Sequence, residues 1–109
     1  MPKPDIEEIR KRLRSAFDPA AARGLEVVYQ FEFGDAEGYH LIIERGTLEV
    51  HAGEHAHPSI TLMFDRLDTA RDVIAGPIDA MQAFMQGRIR SDGNLLLAMR
   101  LGLLFPTRR

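Results

Sequence analysis

The spacing of apolar residues changes twice along the chain, from helical to alternating and back to helical. Ile6, Ile9, Leu13 and Phe17 recur at three- or four-residue intervals after Asp5, and charged residues fill the other faces. This pattern predicts an amphipathic helix that begins at Asp5 as its N-cap and has one face directed at a core.

Apolar and polar side chains then alternate through residues 25–64, which is typical of strands with one buried face. The predicted strands are residues 25–33, 39–43, 48–52 and 59–64. Because short turns join the first three, we expect those neighbours to be antiparallel. His40 falls on the polar side of its strand and is predicted to be a surface residue.

Helical spacing returns after residue 64 and predicts helices at residues 65–75 and 78–86, with Pro77 well placed to open the second. Residues 88–90 are predicted to form a short fifth strand, followed by a turn at residues 92–93. A last helix is predicted from Asn94 to about Phe105. This order of elements favours an α+β fold built as one pair of layers.

The last helix is apolar around nearly its whole circumference, whereas a helix that lies on a sheet needs only one apolar stripe. Its apolar residues are Leu95, Leu96, Leu97, Ala98, Met99, Leu101, Leu103, Leu104 and Phe105. We expect the second face to be covered by neighbouring helices, by a second subunit or by a lipid, and the pattern does not choose among them.

Composition narrows the classes of function. The chain of 109 residues is 45% hydrophobic and 28% charged, which predicts one globular domain over residues 1–109. A net charge of −2 gives no general attraction to nucleic acid. The absence of cysteine excludes disulfides and thiolate chemistry. Neither a secretory signal nor a peroxisomal C-terminal address is present, so a cytoplasmic location is expected.

Residues 83–94 read Ala-Phe-Met-Gln-Gly-Arg-Ile-Arg-Ser-Asp-Gly-Asn, and Leu-Ala-Met-Arg-Leu follows at residues 97–101. This region resembles the signature of the sterol carrier protein 2 (SCP2) family. Upstream, residues 17–21, 28–31 and 58–62 are similar to segments at the same places in compact bacterial members of that family. The resemblance covers nearly the whole chain. It implies an α+β fold with a five-stranded, mostly antiparallel sheet covered by helices. It also implies an apolar tunnel between sheet and helices for a sterol, fatty acid, acyl-CoA or phospholipid.

The resulting hypothesis is a lipid-binding protein without catalytic residues, cofactor or metal. The residues expected to line the tunnel are Phe31, Phe33, Ile43, Leu62, Phe64, Met81, Phe84, Met85, Leu96, Met99 and Leu103. Methionine suits a cavity that must fit variable apolar ligands. Leu96 stands where many relatives have glycine or another small residue, so it is expected to narrow the tunnel and to disfavour a bulky sterol.

Chemical alternatives find little support in the sequence. His51, His55 and His57 have a spacing that zinc ligands can show, but the polar, glycine-flanked stretch favours a solvated loop. No serine occupies a nucleophile elbow, and no phosphate loop or dinucleotide fingerprint is present. The chain is therefore predicted not to be an enzyme.

The expected partners are the lipid and, transiently, a membrane surface or a lipid-metabolising enzyme. Arg10, Lys11, Arg12 and Arg14 crowd the first helix, which indicates either a solvated face or contact with anionic headgroups. Two alternative functions stay open. One is an accessory protein that presents a polyprenyl or quinone-like intermediate to biosynthetic enzymes, and the other is a homodimerisation module without ligand.

Overall fold

Polar caps set the beginnings of three of the helices in the computed structural model, which describes residues 2–76 and 78–106. The helices are α1 (Ile6–Ala16), α2 (Leu67–Ala75), α3 (Ala80–Met85) and α4 (Leu95–Leu104). The Asp5 carboxylate accepts from the Glu8 backbone N–H at 3.2 Å, and Asp79 and Asn94 cap α3 and α4 in a similar way. The four predicted helices are confirmed. Pro77, which was predicted to open a helix, lies outside the described residues.

Five strands form one sheet: β1 (Val27–Phe33), β2 (Tyr39–Glu44), β3 (Thr47–Ala52), β4 (Ile60–Phe64) and β5 (Ile89–Gly93). Their order is β3-β2-β1-β4-β5. β1 and β4 are parallel, and the other neighbouring pairs are antiparallel. The predicted mostly antiparallel, five-stranded α+β fold is confirmed.

The predicted turn at residues 92–93 is wrong, because β5 continues through both residues and pairs with β4. Gly93 lies opposite Ile60 with a positive φ of 122°. A Cβ atom at this position would lie 3.1 Å from the Ser59 carbonyl oxygen. Glycine therefore allows the two backbones to approach closely at the end of the strand pair.

The core lies on one face of the sheet, where the alternating apolar residues meet. Phe31 is fully buried, and its ring centroid lies 5.1 Å from that of Tyr39 and 5.4 Å from that of Phe64. Such aromatic pairs stabilise the core beyond the area they bury. This cluster supports the middle of the sheet, against which the helices pack.

Directed hydrogen bonds fix the helices on the core face. The Arg10 guanidinium donates to the Val50 carbonyl at 2.6 Å, which holds α1 against β3. The Tyr29 hydroxyl donates to the Leu97 carbonyl at 2.7 Å, which holds α4 over β1, and burial raises the pKa of Tyr29 to about 12. The Asp18 N–H donates to the Leu104 carbonyl at 2.8 Å, so the end of α1 and the end of α4 are held together.

The opposite face of the sheet contains a buried polar cluster that the sequence did not reveal. Gln30 donates to the carbonyls of Tyr39 at 3.2 Å and Gly53 at 3.3 Å, and it accepts from the His55 backbone N–H at 2.8 Å. The His40 Nδ1 atom lies 2.9 Å from the Gly53 oxygen. The predicted surface position of His40 is wrong, since the segment after β3 folds back over this residue and leaves it 8% exposed.

Candidate functional site

A cavity of about 530 Å³, here called the first cavity, lies between α1 and α2 above Tyr39 of β2. This volume is within the usual range of small-molecule sites. The apolar residues of its wall are Ile9, Leu13, Ala16, Leu67, Ile74 and Ala75. The exposed residues of its rim are Asp5, Glu8, Lys11, Arg12, Ser15 and Arg71.

The local sequences of α1 and α2 explain the space between them. Ile9, Leu13 and Ala16 follow one another at helical spacing, so they share the face of α1 that lines the cavity. Ile74 and Ala75 occupy the last turn of α2. Because Ala16 and Ala75 have only a methyl group, they leave volume that a larger side chain would fill.

The rim combines three cations with two carboxylates. Arg12 pairs with Glu8 at 2.8 Å, and Arg71 pairs with Asp68 at 3.5 Å. Lys11 makes no ion pair within the part of the chain that the structure describes. Exposed pairs of this kind contribute little to stability, so the cations can turn to an anionic ligand at low cost.

Tyr39 contributes a polar group to an otherwise apolar floor. The residue is 2% exposed, and burial raises the pKa of its hydroxyl above the ordinary value, so the group stays protonated. Within residues 2–76 and 78–106 no group makes a hydrogen bond to this hydroxyl. It is therefore a hydrogen-bond donor available to a ligand inside the cavity.

A charged network anchors α2, which forms one wall of the cavity. The Thr69 hydroxyl donates to the Asp65 carboxylate, and Arg88 donates to Asp65 at 3.2 Å and to Thr69 at 2.9 Å. The Asp35 carboxylate accepts from the Leu67 N–H at 2.9 Å, at the first turn of α2. These contacts join α2 to the turn after β1 and to the start of β5.

The hydrogen bond from Thr69, assisted by Arg88, lowers the pKa of Asp65 below its ordinary value of 3.8. Because the pKa of Asp65 is lower in the folded protein, the ionised carboxylate stabilises the fold at pH values above the ordinary pKa. This stabilisation is lost as the pH falls through the pKa of the folded protein. We expect Asp65→Asn to lower the free energy of unfolding at neutral pH, because the substitution removes the charge that Thr69 and Arg88 stabilise. Since solvent screens this partly exposed site, the loss should be only about 1 kcal/mol.

Urea denaturation at neutral and acidic pH checks this expectation, with Asp68→Asn on the exposed side of α2 as the control. The difference between Asp65→Asn and the wild type should shrink in acid. A difference that stays constant across the pH range would show that the Asp65 carboxylate is not the stabilising group.

A second cavity, of about 350 Å³, lies between α2, α3 and α4. Its lining residues are Val73, Ile74, Gly76, Ile78, Asp79, Ala80, Ala98, Leu101, Gly102 and Phe105. Apart from Asp79, these side chains are apolar or absent. Ile74 lines both cavities.

The structure separates the eleven residues predicted to line the tunnel into an inner and an outer group. The buried ones are Phe31, Phe33, Ile43, Leu62 and Phe64, while Phe84 is half-buried. The exposed ones are Met81, Met85, Leu96, Met99 and Leu103, at 60% to 82% of their surface. None of the eleven lines either of the two cavities. Their contact with a ligand stays a prediction, and Leu96 does not narrow either cavity.

Sequence reasoning missed most residues of the first cavity. Tyr39, Arg71 and Ile74 showed no signal of their own, since each fits the ordinary pattern of its strand or helix. Lys11 and Arg12 were noted as possible contacts for anionic headgroups, and both lie on the rim. Basic residues beside the apolar stripe of α1 were therefore the one available hint.

Three of the histidines lie close together on one face of the sheet. The ring centroid of His40 lies 5.5 Å from that of His51 and 5.3 Å from that of His55. Among residues 2–76 and 78–106, no group of three His, Cys, Asp or Glu side chains has a geometry that could hold a metal ion. Over the same described residues, we find no helix that combines the length and the hydrophobicity of a membrane span.

Comparison with known families agrees with this architecture. The model of the SCP-2 sterol transfer family matches residues 6–106. The chain belongs to this family. Among curated proteins, it is similar to hydroxysteroid dehydrogenase-like protein 2 of Mus musculus, with 26% identity over 98 residues. That match covers 88% of this chain but only 20% of the mouse protein, so the family member described here corresponds to a small part of that relative.

Solved structures share the fold over nearly the full length of this family member. Palmitated SCP2L2 from Aedes aegypti has a TM-score of 0.70 and 26% identity, covering 95% of this chain and 93% of the insect chain. The ubiquinone synthesis protein UbiJ-SCP2 has a TM-score of 0.75 at 14% identity, covering 91% of this chain and 90% of the other. The second likeness concerns the fold alone.

Proposed function

We propose that this protein binds a single-chain lipid with an anionic headgroup in the first cavity and carries or presents it without changing it chemically. The observation that carries the proposal is the combination, in one cavity, of an apolar wall and a cationic rim. A buried acyl chain gains about 0.8 kcal/mol per methylene, so a wall of this kind favours an alkyl ligand. The palmitated state of the Aedes aegypti relative supports a fatty acid as the ligand class.

The polar groups suggest how the headgroup is held. Lys11, Arg12 and Arg71 provide cations at the rim, and a carboxylate or phosphate oxygen inside the cavity can accept from the Tyr39 hydroxyl. The first methylenes then lie against Ile9 and Leu13. In this arrangement the ligand gives the Tyr39 hydroxyl a hydrogen-bond partner and covers apolar surface at the same time.

Carriage without catalysis fits the chemistry of the lining residues. Among residues 2–76 and 78–106, no histidine lines the first cavity, and Ser15 lies on its exposed rim. Without a base beside it, a serine hydroxyl is a weak nucleophile. Binding and release of the lipid require no covalent bond to form or break.

The headgroup assignment is tested by comparing palmitate with hexadecanol, which has the same chain length and no charge. We expect the wild type to prefer palmitate, and the double variant Arg12→Gln, Arg71→Gln to lose about fivefold to tenfold in affinity for palmitate alone. Isothermal titration calorimetry at low and high salt measures both ligands.

A matched control is Arg14→Gln with Arg45→Gln, which removes two exposed cations that do not line the first cavity. This variant should bind both ligands as the wild type does. Equal loss of palmitate and hexadecanol in the rim variant would contradict the headgroup assignment, and absence of binding to the wild type would contradict the proposed function.

A second candidate function is the presentation of a polyprenyl or quinone-like intermediate to biosynthetic enzymes. The fold shared with UbiJ-SCP2 favours it. Native mass spectrometry of the gently purified protein distinguishes the two candidates, since a co-purified fatty acid supports carriage of acyl lipids and a prenylated aromatic supports presentation of an intermediate.

The outer stripe of α4, formed by Leu95, Leu96, Met99 and Leu103, is 55% to 72% exposed. Exposed apolar surface of this kind often marks a contact with a partner or a membrane. It supports the hypotheses of a homodimer and of transient contact with a lipid surface or a lipid-metabolising enzyme. The same mass spectra report the oligomeric state, and co-sedimentation with vesicles reports membrane contact.

A further inference from the structure

We infer that the two cavities are consecutive parts of one lipid site and that the side chain of Ile74 between them sets the length of acyl chain the protein accepts. This inference rests on the proposed function and adds a specificity-determining residue to it. Its basis is that Ile74, on the last turn of α2, lines both the first and the second cavity.

The lining of the first cavity is more polar than that of the second, as expected if the first holds the headgroup of a lipid and the second the end of its chain. The first cavity has charged groups at its rim and the hydroxyl of Tyr39 on its floor. The second cavity, beneath α4, is bounded mainly by aliphatic and aromatic groups such as Leu101 and Phe105. A headgroup held in the first cavity therefore directs the end of its chain past Ile74 toward the second.

The volumes of the two cavities also support a site in which the acyl chain extends from the first cavity into the second. The first cavity measures about 530 Å³ and the second about 350 Å³, so the second adds substantial room for methylenes. Each buried methylene contributes about fourfold in affinity. A side chain that closes the passage should therefore lower the affinity for long fatty acids. It should have little effect on the affinities for fatty acids short enough to fit in the first cavity.

Affinities for saturated fatty acids from decanoate to eicosanoate test the inference. We expect Ile74→Phe to lower the stearate-to-decanoate affinity ratio by at least about fiftyfold, as three lost methylenes would do. Ile74→Ala should raise the relative affinity for the longest chains. Ile42→Phe and Ile42→Ala are matched controls, because Ile42 is half-buried on the opposite face of the sheet and lines neither cavity.

A second variant fills the second cavity from α4 and leaves the sequence of α2 unchanged. Gly102→Leu adds a side chain to α4 where a Cβ atom would meet nothing within 4 Å. It should reduce the same stearate-to-decanoate ratio by filling the second cavity. If the wild type binds fatty acids but neither Ile74→Phe nor Gly102→Leu changes the ratio, the connection between the cavities is refuted and the proposed function stands. If the wild type binds no fatty acid, the proposed function itself fails.

Discussion

Replacing Ala16 by phenylalanine is expected to reduce the affinity for palmitate by more than about a hundredfold. Ala16 lines the first cavity from α1, so the phenyl ring occupies volume that the ligand needs. If the ring displaces four methylenes, the loss is about 3 kcal/mol at about 0.8 kcal/mol for each. Fluorescence competition or calorimetry with palmitate measures the change.

Two further variants make this result interpretable. Ala75→Phe fills the same cavity from α2, where Ala75 is exposed and the substitution places little strain on the core. Ala20→Phe adds the same side chain to an exposed turn outside both cavities. We expect the first to reproduce the loss and the second to bind normally. Full binding by folded Ala16→Phe and Ala75→Phe would show that the lipid lies elsewhere.

Gln30→Leu is expected to lower the free energy of unfolding by about 2 to 4 kcal/mol. The substitution removes the buried amide that donates to the carbonyls of Tyr39 and Gly53 and accepts from the His55 N–H. Leucine fills a similar volume but leaves these backbone groups without their partner. The segment after β3 then loses its attachment to the back of the sheet.

Thermal and urea denaturation measure this loss, and Gln82→Leu on the exposed side of α3 is the matched control. The control should stay within about 0.5 kcal/mol of the wild type. A similarly small effect of Gln30→Leu would mean that the polar cluster around Gln30 and His40 does not stabilise the fold.

The architecture was largely predictable because each element repeats its own apolar spacing. The stripe of α1, its cap at Asp5 and the alternation in β1 all appear where the sequence places them. His40 was not predictable, since its burial results from the later segment around Gly53 that folds over it. An alternating pattern indicates on which face of the sheet a residue lies, but it does not indicate whether another segment covers that face.

The cavity was harder to predict for a related reason. Ile9, Leu13 and Ile74 fit the pattern of helix faces that pack on a sheet, and the sequence does not show that α1 and α2 leave a gap between them. The apolar excess of α4 was visible, but its outer stripe is exposed and does not line either cavity. Whether a helix face covers core, cavity or solvent depends on the distance between helices, which residue spacing does not encode.

The most direct test of the lipid site is a nuclear magnetic resonance titration of the methyl-labelled protein with palmitate. The account predicts that the largest shift changes occur at the methyl groups of Ile9, Leu13, Leu67 and Ile74, which line the first cavity. Changes confined to Leu96, Met99 and Leu103 on the outer stripe of α4, with Ile9 and Ile74 unaffected, would contradict it.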